Sequence, residues 1–240
     1  MRFVPLILSS SAPENWAAFR NVELRWDGHL HADWEISVRN GLAIHALHLP
    51  PRPPMPWGND LLQTALEALH PRLGADFLVI PTDAPTGRQA TSAFLQALEA
   101  LLERTSGRGV KIALRPSQGA LKGLLALLKE ARGEAVGFCW DPDIGPDLEL
   151  ISDRLYTAVG GMNGMEDDYT ALQRTGYRWN LAMEGKPTEL PSRIKALEAK
   201  YPTVFFPAEM PTTALGRPIV PDESLIFGAH WNVRPDRSGE

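Results

Sequence analysis

The sequence predicts an α/β fold, a (β/α)8 TIM barrel that is followed by an irregular C-terminal extension. Short apolar runs alternate with stretches of helical spacing about eight times along the chain. The 240 residues also come close to the roughly 250 residues that such a barrel needs. The competing fold, an open doubly wound sheet, usually has a glycine-rich phosphate turn after its first strand. The chain has Ser-Ser-Ser-Ala-Pro there and no P-loop pattern, so the barrel is favoured.

The predicted strands are short apolar or alternating runs. Residues 21–26 alternate polar and apolar side chains, which is the pattern of a half-buried strand. Pro50 stops the third strand and Pro81 closes the fourth, because proline has no backbone N–H to donate to a sheet. In chain order the strands are predicted at residues 3–9, 21–26, 42–49, 76–80, 110–114, 135–140, 155–159 and 179–183.

The predicted helices lie between these strands and carry apolar residues three and four positions apart. The stretch 32–40 ends at Gly41, which suits a helix C-cap. The longest stretch, 88–104, places Phe94 and Leu98 on one apolar face. In chain order the helices are predicted at residues 32–40, 60–70, 88–104, 121–131, 146–152, 166–174 and 190–200.

The chain divides into a barrel over residues 1–201 and a C-terminal extension over residues 202–240. The extension does not continue the alternation of strands and helices. Its short apolar runs at 203–206 and 225–227 need cover from other parts of the fold. We expect the extension to pack on the barrel or on a partner subunit, so a homo-oligomer is one of the expected arrangements.

Composition and charge exclude several classes of protein. The net charge of −5 and the pI of about 5.7 leave no basic surface for wrapping nucleic acid. The apolar run at residues 3–8 is too short to span a bilayer, so no membrane association is expected. Cys139 is the single cysteine, which excludes an internal disulfide and is typical of a reducing compartment. We expect a cytoplasmic protein with a small-molecule ligand.

The carboxyl ends of the predicted strands carry the residues that chemistry would need. In a barrel of this kind the active-site residues come from those ends. Residues 137–143 are the clearest case, because an apolar strand ends abruptly in Asp141 and Asp143. The other strand ends offer Glu23, Arg25, Asp27, His45, His48, Thr82, Asp83, Arg115, Gly160, Gly161, Met162, Asn163 and Glu184.

Four of the strands resemble those of the xylose-isomerase-like TIM barrels, a family of sugar-phosphate isomerases and epimerases with endonuclease IV among its relatives. The similar segments are Ala-Leu-His-Leu-Pro at 46–50, Gly-Val-Lys-Ile-Ala-Leu at 109–114, Gly-Phe-Cys-Trp-Asp at 137–141 and Asn-Leu-Ala-Met-Glu at 180–184. The order and spacing of these motifs carry the resemblance, which extends over about residues 2–200.

The resemblance implies a site for one divalent metal, held by a Glu after strand five, an Asp after strand six, a His after strand seven and a Glu after strand eight. Asp141 and Glu184 match two of these ligands. Arg115 replaces the strand-five Glu, and Gly160-Gly161 stand where the strand-seven His would be. Because arginine keeps its proton, it repels a divalent cation and pairs with carboxylates. We therefore expect a dismantled metal site and no cofactor, with Mn or Zn as the alternative.

Two outcomes stay open for Arg115, Asp141 and Glu184. In one, they form a buried ion-pair network that only holds the barrel together. In the other, Arg115 binds a carboxylate or phosphate group of a substrate where relatives hold their metal. The glycine pair Gly160-Gly161 would then be the natural partner of that anion, because backbone can approach a ligand closely there and present its amides.

The first functional hypothesis is a divergent isomerase or epimerase that acts on a small carbohydrate-type or anionic metabolite. In it Glu184 is the proton shuttle, Asp141 is its partner, and Arg115 and His48 contact the substrate. Asp83 is either a further substrate-binding residue or a cap for the following turn or helix. The second hypothesis is a non-catalytic barrel that binds a metabolite or serves as a partner subunit. A metal-dependent endonuclease is disfavoured, because the required histidines are absent and the charge is wrong for DNA.

Overall fold

Eight parallel strands pair in chain order and close into a barrel, so the predicted TIM-barrel fold is confirmed. The computed structural model describes residues 1–50, 59–130, 135–160, 166–177 and 179–201. The strands are β1 (Arg2–Leu8), β2 (Asn21–Arg25), β3 (Ala43–His48), β4 (Phe77–Thr82), β5 (Lys111–Pro116), β6 (Val136–Trp140), β7 (Leu155–Gly160) and β8 (Asn180–Met183). Strand β8 pairs with β1 and completes the ring. The predicted extension at 202–240 lies outside the described residues.

Helices connect the strands and pack against the outside of the ring. The α-helices are α1 (Asp33–Arg39), α2 (Asn59–Glu67), α3 (Arg88–Thr105), α4 (Leu121–Glu130), α5 (Glu166–Arg174) and α6 (Leu190–Lys200). A short 3-10 helix, Pro13–Trp16, lies between β1 and β2. No helix in the described part of the chain is both long and apolar enough to cross a membrane.

Two connecting segments differ from the sequence prediction. The helix predicted at 60–70 is α-helical at first and then becomes a π-helical turn over Ala68–Leu73, where Pro71 has no N–H to continue the α-helical ladder. The helix predicted at 146–152 is a 3-10 helical segment over Pro142–Arg154. Two prolines and a glycine in its first five residues are poor α-helix formers, which favours the shorter-range hydrogen bonding.

Two apolar layers hold the barrel together. The larger layer lies between the strands and the helices and includes the fully buried Leu24, Phe94 and Phe138. The smaller layer fills the inside of the ring with Val4, Leu6, Ala46, Phe77, Val79, Ala113, Cys139, Val159 and Ala182. Polar side chains interrupt this inner layer at Glu23 and Thr157, which are both buried. The inside of the barrel is therefore apolar in one part and polar around Glu23 and Thr157, and the polar part is where a functional site is expected.

Gly137 lets β6 pack closely against the segment that enters β7. A Cβ atom at this position would lie 2.5 Å from the carbonyl oxygen of Arg154 and 2.6 Å from two ring carbons of Tyr156. Backbone cannot move aside as readily as the end of a side chain. We expect Gly137→Ala to lower the free energy of unfolding by about 1–3 kcal/mol, the usual cost of overpacking.

Urea denaturation of the purified variants measures this effect, and Gly185→Ala is a suitable control. The tightest contact of a Cβ atom at Gly185 would be with the terminal Cδ1 of Leu190, at 3.0 Å, and its contacts with Leu190 Cβ and Cγ, at 3.5 and 3.6 Å, are ordinary van der Waals distances. We expect the control to stay close to the wild-type stability. A Gly137→Ala protein as stable as wild type would contradict the close packing described here.

Candidate functional site

Five polar side chains gather at the carboxyl ends of the strands, a rim that we call the mouth. Arg25 and His48 are the last residues of β2 and β3. Arg115 lies one residue before the end of β5, Asp141 directly follows β6, and Glu184 directly follows β8. Parallel strands bring all their carboxyl ends to one side of the barrel. The fold therefore brings together Arg115, Asp141, Glu184 and His48, as the sequence predicted, and adds Arg25.

Arg115 and Asp141 form a close ion pair between neighbouring strands. The Arg115 Nε donates a hydrogen bond of 2.7 Å to Asp141 Oδ2, and Arg115 Nη2 contacts the same oxygen. The Asp141 residue is buried, whereas a quarter of the Arg115 side chain is exposed, at 26%. Of the two carboxylates that the sequence offered to Arg115, the structure selects Asp141.

A second arginine holds the other predicted carboxylate. Arg25 Nη2 donates a hydrogen bond to Glu184 Oε1, and about a third of each side chain is exposed. Burial lowers the pKa of Arg25, and the positive charge of Arg115 lowers it further, so the two guanidinium groups are close enough to repel each other. The sequence placed Arg25 at a strand end but gave no reason to select it, because its partner lies 159 residues away in the chain.

A buried carboxylate, Glu23, lies inside the barrel. Its Oε2 lies 2.6 Å from His48 Nε2 on the adjacent strand. From the opposite side of the ring, Thr157 Oγ1 donates to both Glu23 oxygens, at 3.1 and 3.2 Å. All three residues are at most 2% exposed. Sequence reasoning noted Glu23 at the second strand and missed its role, although a charged residue at an inward position of a barrel strand is a usable signal.

The hydrogen-bond pattern places a proton on Nε2 of a neutral His48. Glu23 is the acceptor for Thr157, so the imidazole Nε2–H acts as the second donor to Glu23. Burial lowers the pKa of His48, the hydrogen bond and charge of Glu23 oppose that effect, and Arg115 and Arg25 lower the pKa further. The other nitrogen, Nδ1, is buried and has no hydrogen-bond partner among the described residues.

Two other predicted site residues have different surroundings. Asp83 is exposed, and helix α3 begins after Gly87 without a side-chain cap, so the expected capping role is not seen at that helix. A Cβ atom at Gly160 would lie 2.6 Å from Met183 Sδ, in the outer apolar layer. This glycine is therefore needed for packing behind the barrel, whatever its backbone does at the mouth. Gly161 lies outside the described residues.

Cys139 and His45 are buried in contacts that belong to the packing of the barrel and not to its mouth. Cys139 is fully buried in the inner apolar layer, and burial raises the pKa of its thiol well above the ordinary value, so it is an inert side chain. His45 packs at the amino-terminal end of the barrel, where its Nε2 lies 3.0 Å from Asn21 Oδ1.

The residues at the mouth do not fit the metal that the resemblance implies. Asp141 and Glu184 each accept a hydrogen bond from a guanidinium group, and the strand-five position is itself a cation. Within the described ranges, no group of three or more His, Cys, Asp or Glu side chains lies close enough to hold a metal ion. A divalent cation at this place would have to displace Arg115 and Arg25 from their carboxylates and then remain beside two positive charges.

Several solved structures have a fold similar to that of this chain. The epimerase YcjR from E. coli, a 3-keto-D-glucoside 4-epimerase, is 15% identical with a TM-score of 0.63, over 83% of this chain and 99% of its own. The IolI protein with a bound zinc atom is 12% identical with a TM-score of 0.63, over 83% of this chain and 97% of its own. A D-tagatose 3-epimerase-like protein is 16% identical with a TM-score of 0.58, over 84% and 99%.

At these identities the likeness shows the fold alone, an eight-stranded TIM barrel like those of the two epimerase-type proteins and IolI. No protein-family model matches the chain, and no curated protein sequence matches it.

Proposed function

We propose that this protein is a divergent sugar isomerase- or epimerase-like barrel that binds a small carbohydrate-type metabolite at its mouth without a divalent metal. One observation carries the proposal. The two carboxylates that match metal ligands of related barrels, Asp141 and Glu184, are each bound by an arginine. A guanidinium group thus supplies the positive charge that the metal would otherwise bring to each of these carboxylates.

The chemistry of the mouth suits a ligand rich in hydroxyl and carbonyl groups. The charges of the two arginines and the two carboxylates cancel. The paired groups therefore offer a ligand hydrogen-bond donors and acceptors with almost no net charge. Arg25 uses Nη2, and Arg115 uses Nε and Nη2, in the hydrogen bonds within the described residues, which leaves further N–H groups for a ligand oxygen. An anionic ligand would have to compete with Asp141 for Arg115.

The predicted site residues keep their proposed roles within this arrangement. Arg115 and His48 contact the ligand, and Asp141 and Glu184 orient its hydroxyl groups or exchange protons with it. Gly160 borders the mouth at the end of β7. In each of these carboxylates one oxygen already accepts a hydrogen bond from an arginine, so that oxygen is less available to a proton of the ligand. That fact favours the alternative of a binding barrel without catalysis, and the experiment must separate the two.

The proposal is tested with D-tagatose and a 3-keto-D-glucoside, the sugar classes named for the similar epimerases. Titration calorimetry in the presence of EDTA measures binding, and NMR in D2O measures exchange of the C–H proton next to the carbonyl. We expect binding that EDTA does not reduce, and an affinity loss of about 10–100-fold in Arg115→Gln, the value of one charge-assisted hydrogen bond.

Arg39→Gln is the matched control, because Arg39 forms an exposed ion pair on helix α1, away from the mouth. Binding without proton exchange would support the non-catalytic barrel. Binding that appears only after a divalent metal is added would contradict the metal-free site, and no binding of either sugar would contradict the proposed ligand class.

A further inference from the structure

The hydrogen-bonded network of Glu23, His48 and Thr157 places a carboxylate inside the barrel, which apolar packing does not explain. The inside of a small barrel is normally filled with apolar side chains, and burying a charged group there is costly unless its hydrogen bonds are satisfied. Glu23 is fully buried and accepts hydrogen bonds at both of its oxygens. The network is therefore complete on the carboxylate side.

In the same network, the histidine lacks one hydrogen bond. His48 Nδ1 is buried and has no partner within the described part of the chain. An unpaired buried polar atom costs about 1–3 kcal/mol. His48 lies at the mouth, directly opposite Arg25 in the pairing of β2 with β3, and it feels the charges of both Arg25 and Arg115. An unsatisfied lone pair at this place points to a ligand group that supplies the missing proton.

We propose that His48 is the proton-accepting catalytic residue of the barrel and that Glu23, held by Thr157, is its positioning residue. This inference rests on the proposed function, a carbohydrate-type ligand at the mouth. The Glu23 acceptor keeps the imidazole proton on Nε2, so Nδ1 carries a lone pair that has no hydrogen-bond partner among the described residues. A histidine oriented by a buried carboxylate is a common arrangement for general bases.

The side chains at the mouth account for the proton and the electron pair in this transfer. His48 Nδ1 takes the proton from the ligand carbon next to the carbonyl, and the electron pair of the broken C–H bond moves to the carbonyl oxygen. The developing oxyanion is stabilised by unused guanidinium N–H groups of Arg25 and Arg115. The imidazolium, whose positive charge is balanced by Glu23, exchanges this proton with solvent and then returns a proton to the same carbon, so in D2O it returns a deuteron. No oxidant, reductant or metal takes part in this step.

His48 is better suited to this step than Asp141 and Glu184. Asp141 and Glu184 each have an oxygen that already accepts a hydrogen bond from an arginine. His48 is neutral and its Nδ1 is unpaired. Its hydrogen bond to Glu23 becomes stronger when the ring gains a proton, because donor and acceptor then carry opposite charges.

The test compares His48→Gln with the matched control His45→Gln in D2O exchange of D-tagatose and a 3-keto-D-glucoside. His45 is also buried, and it lies on the same strand at the opposite end of the barrel. We expect His48→Gln to slow C–H exchange about 10²–10⁴-fold, the usual contribution of a general base, while sugar binding changes less. We expect His45→Gln to exchange at the wild-type rate.

Exchange at the wild-type rate in His48→Gln would overturn the role of His48 and leave the proposed function standing. No exchange and no binding by the wild-type protein would instead overturn the proposed function, and this inference with it. A second variant, His48→Gly, opens a cavity that free imidazole can enter. Recovery of exchange on adding imidazole would support proton transfer, whereas a folded variant that imidazole leaves inactive would contradict it.

The positioning role of Glu23 can be tested by a separate measurement of the His48 tautomer. Nitrogen-15 NMR of the labelled histidines reports which imidazole nitrogen carries the proton. We expect a protonated Nε2 and an unprotonated Nδ1 for His48 in the wild-type protein. In Glu23→Gln the side-chain amide can donate to Nε2, so the proton moves in part to Nδ1, and exchange slows with it. A proton on Nδ1 in the wild-type protein would contradict the proposal.

Discussion

A protein that carries both Arg25→Gln and Arg115→Glu binds Mn²⁺ at least about 100-fold more tightly than the wild-type protein. The double substitution frees Glu184 from its arginine and adds a third carboxylate next to Asp141. A unit charge about 4 Å away contributes about 4 kcal/mol at an effective dielectric constant near 20. A change of 1.4 kcal/mol corresponds to a tenfold change in affinity, so 100-fold allows for strong screening by solvent.

The single variant Arg115→Glu separates the two arginines. We expect a smaller gain from it, because Arg25 still holds Glu184. Adding Asp141→Asn to the double variant removes one ligand and should reverse most of the gain. The measurement is Mn²⁺ titration followed by electron paramagnetic resonance, with Arg39→Gln as a control for loss of an unrelated arginine. A double variant without any gain would mean that the missing strand-seven ligand at Gly160 limits metal binding.

Replacing Glu23 with alanine lowers the free energy of unfolding by about 3 kcal/mol or more. The substitution leaves the His48 Nε2–H and the Thr157 hydroxyl without their acceptor inside the barrel. Each buried donor that loses its partner costs about 1–3 kcal/mol, and the cavity adds to this cost. Glu23→Gln keeps the size and one acceptor oxygen, so we expect a smaller loss. Urea denaturation measures both variants.

A fully apolar version of the network provides the control. In the triple variant Glu23→Leu, His48→Leu and Thr157→Val none of the three side chains has a donor or an acceptor, and the Tyr177 hydroxyl, which loses Thr157, still donates to the carbonyl oxygen of Asn180. Exchanging a complete buried polar group for apolar residues of similar size is often close to neutral. We therefore expect the triple variant to recover most of the stability that Glu23→Ala loses. If Glu23→Ala were as stable as wild type, the hydrogen bonds to His48 and Thr157 would not contribute as described.

Much of the barrel and part of its mouth could be predicted from sequence periodicity. The βα alternation determined the eight strands, and the ends of those strands pointed to Arg115, Asp141, Glu184 and His48. A strand end is a local feature, so a sequence reveals it. The expected ion pairing of Arg115 followed from charge alone, and the structure shows Asp141 as the partner.

The partners of the missed residues lie far away in the chain. Glu23 meets Thr157 across the ring, 134 residues later, and Arg25 meets Glu184 after 159 residues. Such contacts depend on the stagger of the closed barrel, which periodicity does not determine. Gly160 illustrates a different difficulty. A glycine at a strand end suits both ligand binding and close packing, and only the neighbouring Met183 side chain reveals its packing role.

Two guanidinium groups bind the two carboxylates that the sequence resemblance assigns to a metal. The most direct test is electron paramagnetic resonance of wild-type protein titrated with Mn²⁺, since bound ions lose the signal of free aqueous Mn²⁺. With Arg115 on Asp141 and Arg25 on Glu184, we predict no stoichiometric binding. One tightly bound Mn²⁺ per chain that is lost in both Asp141→Asn and Glu184→Gln would contradict the claim.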